Sequence, residues 1–286
     1  MRILFIGDVV GNPGVTFLRR AVPLLRQREG LDLVIANAEN AANGSGLTPT
    51  LYRKIREAGV DLVTLGDHAY KKQDITRTLE AEDRVCKPAN FPPDAPGREF
   101  AVAPARDGTP VAVFCVLGRT FMRAVDCPFR AADRVLQALG DRARCVVVDA
   151  HAEATADKYL LGHYLKGRVS AVLGTHTHVP TADEQLLPGG TAFISDVGMT
   201  GPYDSILGRR VDRVLSTAVT FVPSAFDVAT GDVRLGGAVV DIDAATGQAT
   251  AIRRLMLDEK GLAALTADGV AESQPGERGQ RTAGTD

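Results

Sequence analysis

The feature that most constrains this chain is a repeated alternation along its first two-thirds. Short β-branched and aliphatic runs take turns with segments whose apolar residues recur every three to four positions. That alternation builds βαβ units, so the chain must place a largely parallel sheet beneath helices. Ile3 to Ile6, Leu33 to Ala36 and Leu62 to Leu65 read as buried strands. The first two are followed by helices around Phe17 to Leu25, where Pro23 threatens a kink, and from Thr48-Pro49 to Gly59. Asp74 is placed to cap a third helix ending near Glu82. The proline-rich stretch 87–97 breaks the rhythm. Strands then resume at Phe100 to Ala103, Val111 to Leu117, Val146 to Val148 and Val169 to Leu173, with helices near Ala131 to Leu139 and Thr155 to Leu165. Beyond these, Phe193 to Ser195, Ala218 to Val222, Ala238 to Ile242 and Thr250 to Arg253 read as strands of more antiparallel character, with a turn over Asp243 to Gly247.

Composition narrows the function classes. With 45% hydrophobic and 24% charged residues over 286 positions, the chain has the balance of a globular protein that buries a sizeable core. The 33 basic and 35 acidic residues leave a formal charge of −2, which lacks the basic field needed for strong nucleic-acid binding. That balance permits a homo-oligomer. No run approaches a membrane span and the opening reads as a strand, so a cytoplasmic protein without a membrane partner is expected. Cys86, Cys115, Cys127 and Cys145 form no paired motif, and most of them read as small core residues or harmless thiols. From about Asp268 the chain loses its large apolar residues, giving one domain over 1–267 and a disordered tail over 268–286.

In open α/β sheets ligands collect beyond the carboxyl ends of strands. The residues that follow the predicted strands are therefore informative: Gly7-Asp8, Asn37-Ala38-Glu39-Asn40, Gly66-Asp67-His68, Asp149-Ala150-His151 and Gly174-Thr175-His176-Thr177-His178. A lone Asp in such a place is usually a turn residue, and a lone His a packing residue. Two imidazoles one residue apart after a buried strand are metal ligands in pattern, and five such coincidences at one edge form a metal site. Carboxylate, amide and imidazole without thiolate suit Mn²⁺, Fe²⁺ or Zn²⁺. Six or more ligands exceed one tetrahedral ion and fit a pair about 3.5–4 Å apart, built for in-line phosphoryl displacement. The glycines Gly7, Gly11 and Gly14 lack dinucleotide-fingerprint spacing, and Gly11 and Gly14 read instead as permitting a tight loop near the site. His163 reads as background, Lys71-Lys72 as a solvated pair near an anionic substrate, and Tyr203 as a residue that stacks on a base.

The ordered motifs resemble those of the calcineurin-like metallophosphoesterases, with Val10 where the first His stands, Glu39-Asn40 for Gly-Asp and Gly66-Asp67-His68 for Gly-Asn-His. Together with the runs Ala36 to Ala42 and Ser195 to Pro202, they resemble the bacterial YmdB-like branch, which is associated with 2′,3′-cyclic nucleotides. The resemblance implies a metallophosphoesterase-like α/β sandwich, with two mixed sheets flanked by helices and the active site at strand C-terminal ends. It implies that Asp8, Glu39, Asn40 and His178 hold a first ion and that Glu39, Asp67, His151 and His176 hold a second, Glu39 bridging. The ions implied are iron or manganese first, with zinc or magnesium also suiting the site. Asp67 departs from the Asn of the branch and adds charge that tightens metal binding but opposes phosphate. The implied reaction is attack by a metal-bridging hydroxide on a small-molecule cyclic nucleotide, with His68 as general acid to the leaving ribose oxygen. Two other readings use the same residues: a phosphomonoesterase or protein phosphatase, and a regulatory RNA-associated protein with a vestigial site.

Overall fold

The computed structural model describes residues 1–271. One mixed sheet contains β1 (Arg2–Ile6), β2 (Leu33–Asn37), β3 (Leu62–Thr64) and β4 (Val85–Cys86), which run parallel. The other contains β5 (Phe100–Pro104), β6 (Pro110–Leu117), β7 (Cys145–His151), β8 (Ala171–Thr175), β9 (Gln185–Leu187) and β10 (Thr191–Ile194), in the order β5-β6-β7-β8-β10-β9. The chain then returns to the first sheet with β11 (Thr200–Pro202), β12 (Val233–Ile242) and β13 (Ala249–Leu257), all antiparallel to their neighbours there. Its order is β11-β12-β1-β2-β3-β4, with β13 also paired to β12. The expected change of character in the C-terminal part is thus mainly a return to the first sheet.

Side-chain alternation along the strands explains why two sheets stack. Ile3, Phe5, Leu33 and Ile35 of the first sheet pack against Val111, Val113, Val147 and Leu173 of the second. Leu4 and Ile6, one residue out of phase, pack under α1 (Gly11–Glu29) and α2 (Pro49–Glu57). On the far side, Phe114, Val116, Val146 and Val148 pack under α4 (Pro128–Leu139) and α5 (Thr155–Leu165). A strand buried on both faces reads as a continuous apolar run, which is why these segments stood out. The result is a helix, sheet, sheet, helix sandwich, with the carboxyl ends of β1, β2, β3, β7 and β8 at one shared edge.

Several local expectations are met and others corrected. Thr48 caps α2 by accepting from the backbone N–H of Leu51, with Pro49 in the first turn. Pro23 neither stops nor shortens α1, whose 19 residues continue through it. Asp74 stands at the start of α3 (Ile75–Ala81) without a side-chain capping bond. The expected strand at Ala218 to Val222 is instead the end of α6 (Val211–Thr220) and the turn after it. Val211, Val214, Leu215, Ala218 and Val219 repeat at helical spacing, whereas positions 218–222 taken alone carry only the β-branched end of that pattern. The last helix, α7, runs Glu259–Ala271, so the first positions of the segment expected to be a tail are helical. The remainder of that expectation lies outside the described residues. No helix among the described residues is long and apolar enough to cross a membrane.

Candidate metal centre

The site grows from strand ends that the core cannot move. Asp8 follows β1, Glu39 and Asn40 follow β2, Asp67 and His68 follow β3, His151 ends β7, and His176 and His178 follow β8. The structure brings all eight of these predicted residues to one edge. Glu39, Asp67, His151 and His176 form its tightest part, their donor atoms all within 4.8 Å of one another. His151 Nε2 lies 3.2 Å from Glu39 Oε1 and 3.2 Å from Asp67 Oδ1. His176 Nδ1 lies 3.1 Å from His151 Nε2 and 3.5 Å from Asp67 Oδ1. The second part adjoins it through Asn40, whose Nδ2 is 3.2 Å from both Glu39 Oε1 and His178 Nε2. His178 Nε2 in turn is 3.8 Å from Asp8 Oδ1.

These residues fit metal ions on four grounds. Asp8 Oδ1 is buried and has no hydrogen-bond partner, a costly state for a carboxylate oxygen that a cation would relieve. Its other oxygen accepts from the backbone N–H of His176 at 3.0 Å. Each of the three clustered imidazoles has an acceptor at the nitrogen facing away from the cluster. These are Thr175 Oγ1 for His151 Nδ1 (2.8 Å), Glu153 Oε2 for His176 Nε2 (3.2 Å) and the Leu207 carbonyl for His178 Nδ1 (3.0 Å). With the outer nitrogen donating, the inner nitrogen of each neutral ring keeps a lone pair for a ligand. Space is reserved as well: a Cβ on Gly66 would strike His151 Nε2 and Glu39 Oε2. Finally, three carboxylates converge on three inward lone pairs, and only positive charge satisfies both.

Titration behaviour follows from this crowding. Burial pushes the Asp8 carboxyl up to about 6, against the pull of His178 and His151. Burial also opposes ionisation of Glu39 and Asp67, but the His151 imidazole outweighs it and lowers both. Burial would depress His151, yet Glu39, Asp67 and Asp8 carry it well above the usual imidazole range. His176, buried and beside His151, falls to about 4.

The backbone that presents His176 and His178 is strained, with φ of 95° and 65° at non-glycine residues. A buried ion pair stands beneath it: Lys158 Nζ donates to Asp196 Oδ2 at 2.7 Å. The same oxygen accepts from the N–H of Thr177 at 3.1 Å and its hydroxyl at 2.7 Å, clamping the turn between the two imidazoles. His68 sits at the rim. Its N–H donates to Glu39 Oε2 at 3.0 Å and its Nδ1–H to Asn40 Oδ1 at 2.7 Å. Asn40 therefore faces the first-ion group with its amide nitrogen, while the oxygen that could ligate a cation is held by His68.

Other expectations resolve differently. Tyr203 does not stand free to stack on a base: its hydroxyl donates to the Met199 carbonyl and Arg234 lies over its ring. His163 lies on α5, its ring stacked near Tyr159. Gly14 permits close packing, since a Cβ there would strike the Thr200 carbonyl. Cys86, Cys115 and Cys145 are buried free thiols, as expected of small core residues. Glu153, Lys158 and Asp196 were not singled out as site residues from the sequence. Glu153 lies only two positions past His151, which was the available signal.

A two-sheet α/β sandwich with a carboxylate and imidazole cluster at its shared carboxyl edge is a fold of the phosphoesterase type. The chain belongs to the YmdB-like family, whose model matches residues 4–255. It is 44% identical over 259 residues to a Bacillus subtilis protein named 2′,3′-cyclic-nucleotide 2′-phosphodiesterase, covering 91% of this chain and 98% of the relative. It is 32% identical to a Mycoplasma genitalium putative phosphatase/phosphodiesterase, covering 92% of this chain and 96% of the relative. Among solved structures, a hypothetical protein from Thermus thermophilus superposes with a TM-score of 0.85 at 46% identity, covering 91% of this chain and 100% of that one. A Mycoplasma pneumoniae structure titled as a novel phosphatase gives 0.83 at 26% identity, covering 92% and 96%.

Proposed function

We propose that this protein is a metal-dependent hydrolase that opens 2′,3′-cyclic nucleotides to nucleoside monophosphates. The observation that carries the reading is the placement of His68. It is bonded to both Glu39 and Asn40, yet its Nε2 remains 3.7 Å from Asp67 Oδ2 on the exposed side of the cluster. The name of the Bacillus subtilis relative supports the substrate class.

In this reading Asp8, His178 and Asn40, the last with its amide turned over, would hold a first ion. Asp67, His151 and His176 would hold a second, and Glu39 would serve both. Two divalent ions, when bound, supply charge neutralisation for the phosphate oxygens and a strong oxygen nucleophile at neutral pH. Iron or manganese suits a donor set without thiolate. The chain's own residues do the rest. Gly66 leaves the space that the cluster needs, and Glu39 joins the two ligand groups. With the Asn40 amide turned over, its N–H would donate to His68 Nδ1, so the ring proton sits on Nε2 and can pass to the departing 2′ or 3′ oxygen.

The phosphatase titles among the relatives favour a second reading, in which the same residues cleave monoesters. Rates on 2′,3′-cyclic AMP, 3′,5′-cyclic AMP and p-nitrophenyl phosphate, measured with Mn²⁺, decide between them. Preference for 2′,3′-cyclic AMP is expected. A higher rate on p-nitrophenyl phosphate would overturn the cyclic-nucleotide reading, and no hydrolysis of any of the three with ions loaded would leave a vestigial site.

A further inference from the structure

Below the cluster, Asp149 lies fully buried on β7, two residues before His151. Its Oδ1 accepts from the Thr175 hydroxyl at 2.6 Å. Its Oδ2 accepts from the Thr64 hydroxyl at 2.6 Å and from Asn37 Nδ2 at 2.9 Å. The donors come from both sheets, Asn37 and Thr64 from β2 and β3, and Thr175 from β8. Asp149 therefore clasps the sandwich directly beneath the site.

The protons in this network can be counted. A hydroxyl has one hydrogen to give, and Thr175 gives its own to Asp149. Toward His151 Nδ1, 2.8 Å away, it can then only accept. The hydrogen of that bond then sits on Nδ1, and once the ring is neutral, as metal ligation requires, Nε2 keeps its lone pair toward Glu39, Asp67 and His176. The order is carboxylate, hydroxyl, imidazole, and the charge at one end sets the tautomer at the other.

We propose that Asp149 and Thr175 are positioning residues that lock His151 in its Nδ1–H tautomer through a hydroxyl relay, reserving Nε2 for the second ion. This rests on reading His151 as a ligand, but the tautomer itself does not depend on any activity. Replacing Asp149 by Asn reverses the relay's polarity without changing its size. An amide placed with its N–H toward Thr175 would make the hydroxyl donate to Nδ1 and drive the imidazole proton onto Nε2, where it blocks the second ion. A wrong histidine tautomer of this kind is known to disable an otherwise intact serine-protease triad.

The test uses the full chain. Long-range ¹H–¹⁵N spectra of metal-free protein, recorded at a pH high enough to leave the His151 ring neutral, should show the Nδ1–H form in wild type and the Nε2–H form in Asp149→Asn. Titration with Mn²⁺ alone should show two sites in wild type. In Asp149→Asn and Thr175→Val the second should weaken by about 10- to 100-fold, the span typical for partners of metal-bound histidines, with the first unchanged. Thr175→Ser, which keeps the hydroxyl, should restore the second site. An Nε2–H ring in the wild type overturns the relay even if both variants fail to fold, as does wild-type Mn²⁺ binding in folded Asp149→Asn. A correct tautomer in a protein that hydrolyses no phosphoester upholds the relay and overturns the proposed function instead.

Discussion

The ligand edge and the excursion between β11 and β12 are built to opposite rules. At the edge, Asp8, Glu39 and His151 are buried, nearly every polar atom has a named partner, and glycines stand where a methyl group would collide. In the excursion, α6 buries none of its residues, and Leu215 and Val219 are 54% and 70% exposed. Its attachment relies on Arg209, whose guanidinium donates to the carbonyls of Asn43, Gly44 and Phe226. Both regions carry residues at regular spacing. Only the first is over-determined by the strands beneath it, so it can hold strained and charged side chains that the second could not.

Substitutions test this contrast, the largest effect being expected at Glu39. Glu39→Ala removes the oxygens that meet His151, Asn40 and the His68 backbone, so elemental analysis should find both ions lost and hydrolysis absent. Full metal content would break the bridging assignment. His68→Ala keeps the backbone bond to Glu39 and should retain metal while losing about 10²- to 10⁴-fold in turnover. An unchanged rate removes His68 from the mechanism. Gly66→Ala pushes a methyl against His151 and Glu39, and a displacement near 1 Å should reduce turnover on the order of 10²-fold. Asp196→Ala strands the buried Lys158 ammonium and frees the Thr177 turn, so urea unfolding should show a loss of about 3–5 kcal/mol. Leu215→Ser on α6 should change stability by no more than about 0.5 kcal/mol and leave hydrolysis at the wild-type rate. A large loss there would mean that the excursion is more tightly bound to the fold than its exposure indicates.

How far the sequence was legible follows the same divide. Strands buried on both faces were readable because their apolar runs are dense, and the residues just past them followed directly. Where burial does not impose a pattern, as over Ala218 to Val222, β-branched composition pointed to a strand and the helix won. Tyr203 looked like a base-stacking residue by position in the chain, but its hydroxyl found the Met199 carbonyl and its ring is covered by Arg234. Lys158 carries no local signature, and nothing local gives Asp196 or Glu153 its part in the site. Each acts on a site residue brought to it by another element, and that proximity exists only after folding.

By itself the sequence determined the α/β class and the strand ends that bear chemistry, because strand periodicity and residue type are local properties, and its family resemblance sorted those residues into seven candidate ligands and one candidate acid. The tertiary structure alone decided which nitrogen of each imidazole faces the cluster, that Asn40 stands between His68 and His178, and that Asp149 and Thr175 stand behind His151. Those outcomes depend on where hydrogen bonds find partners across two sheets, and a donor has no partner until the sheets are stacked.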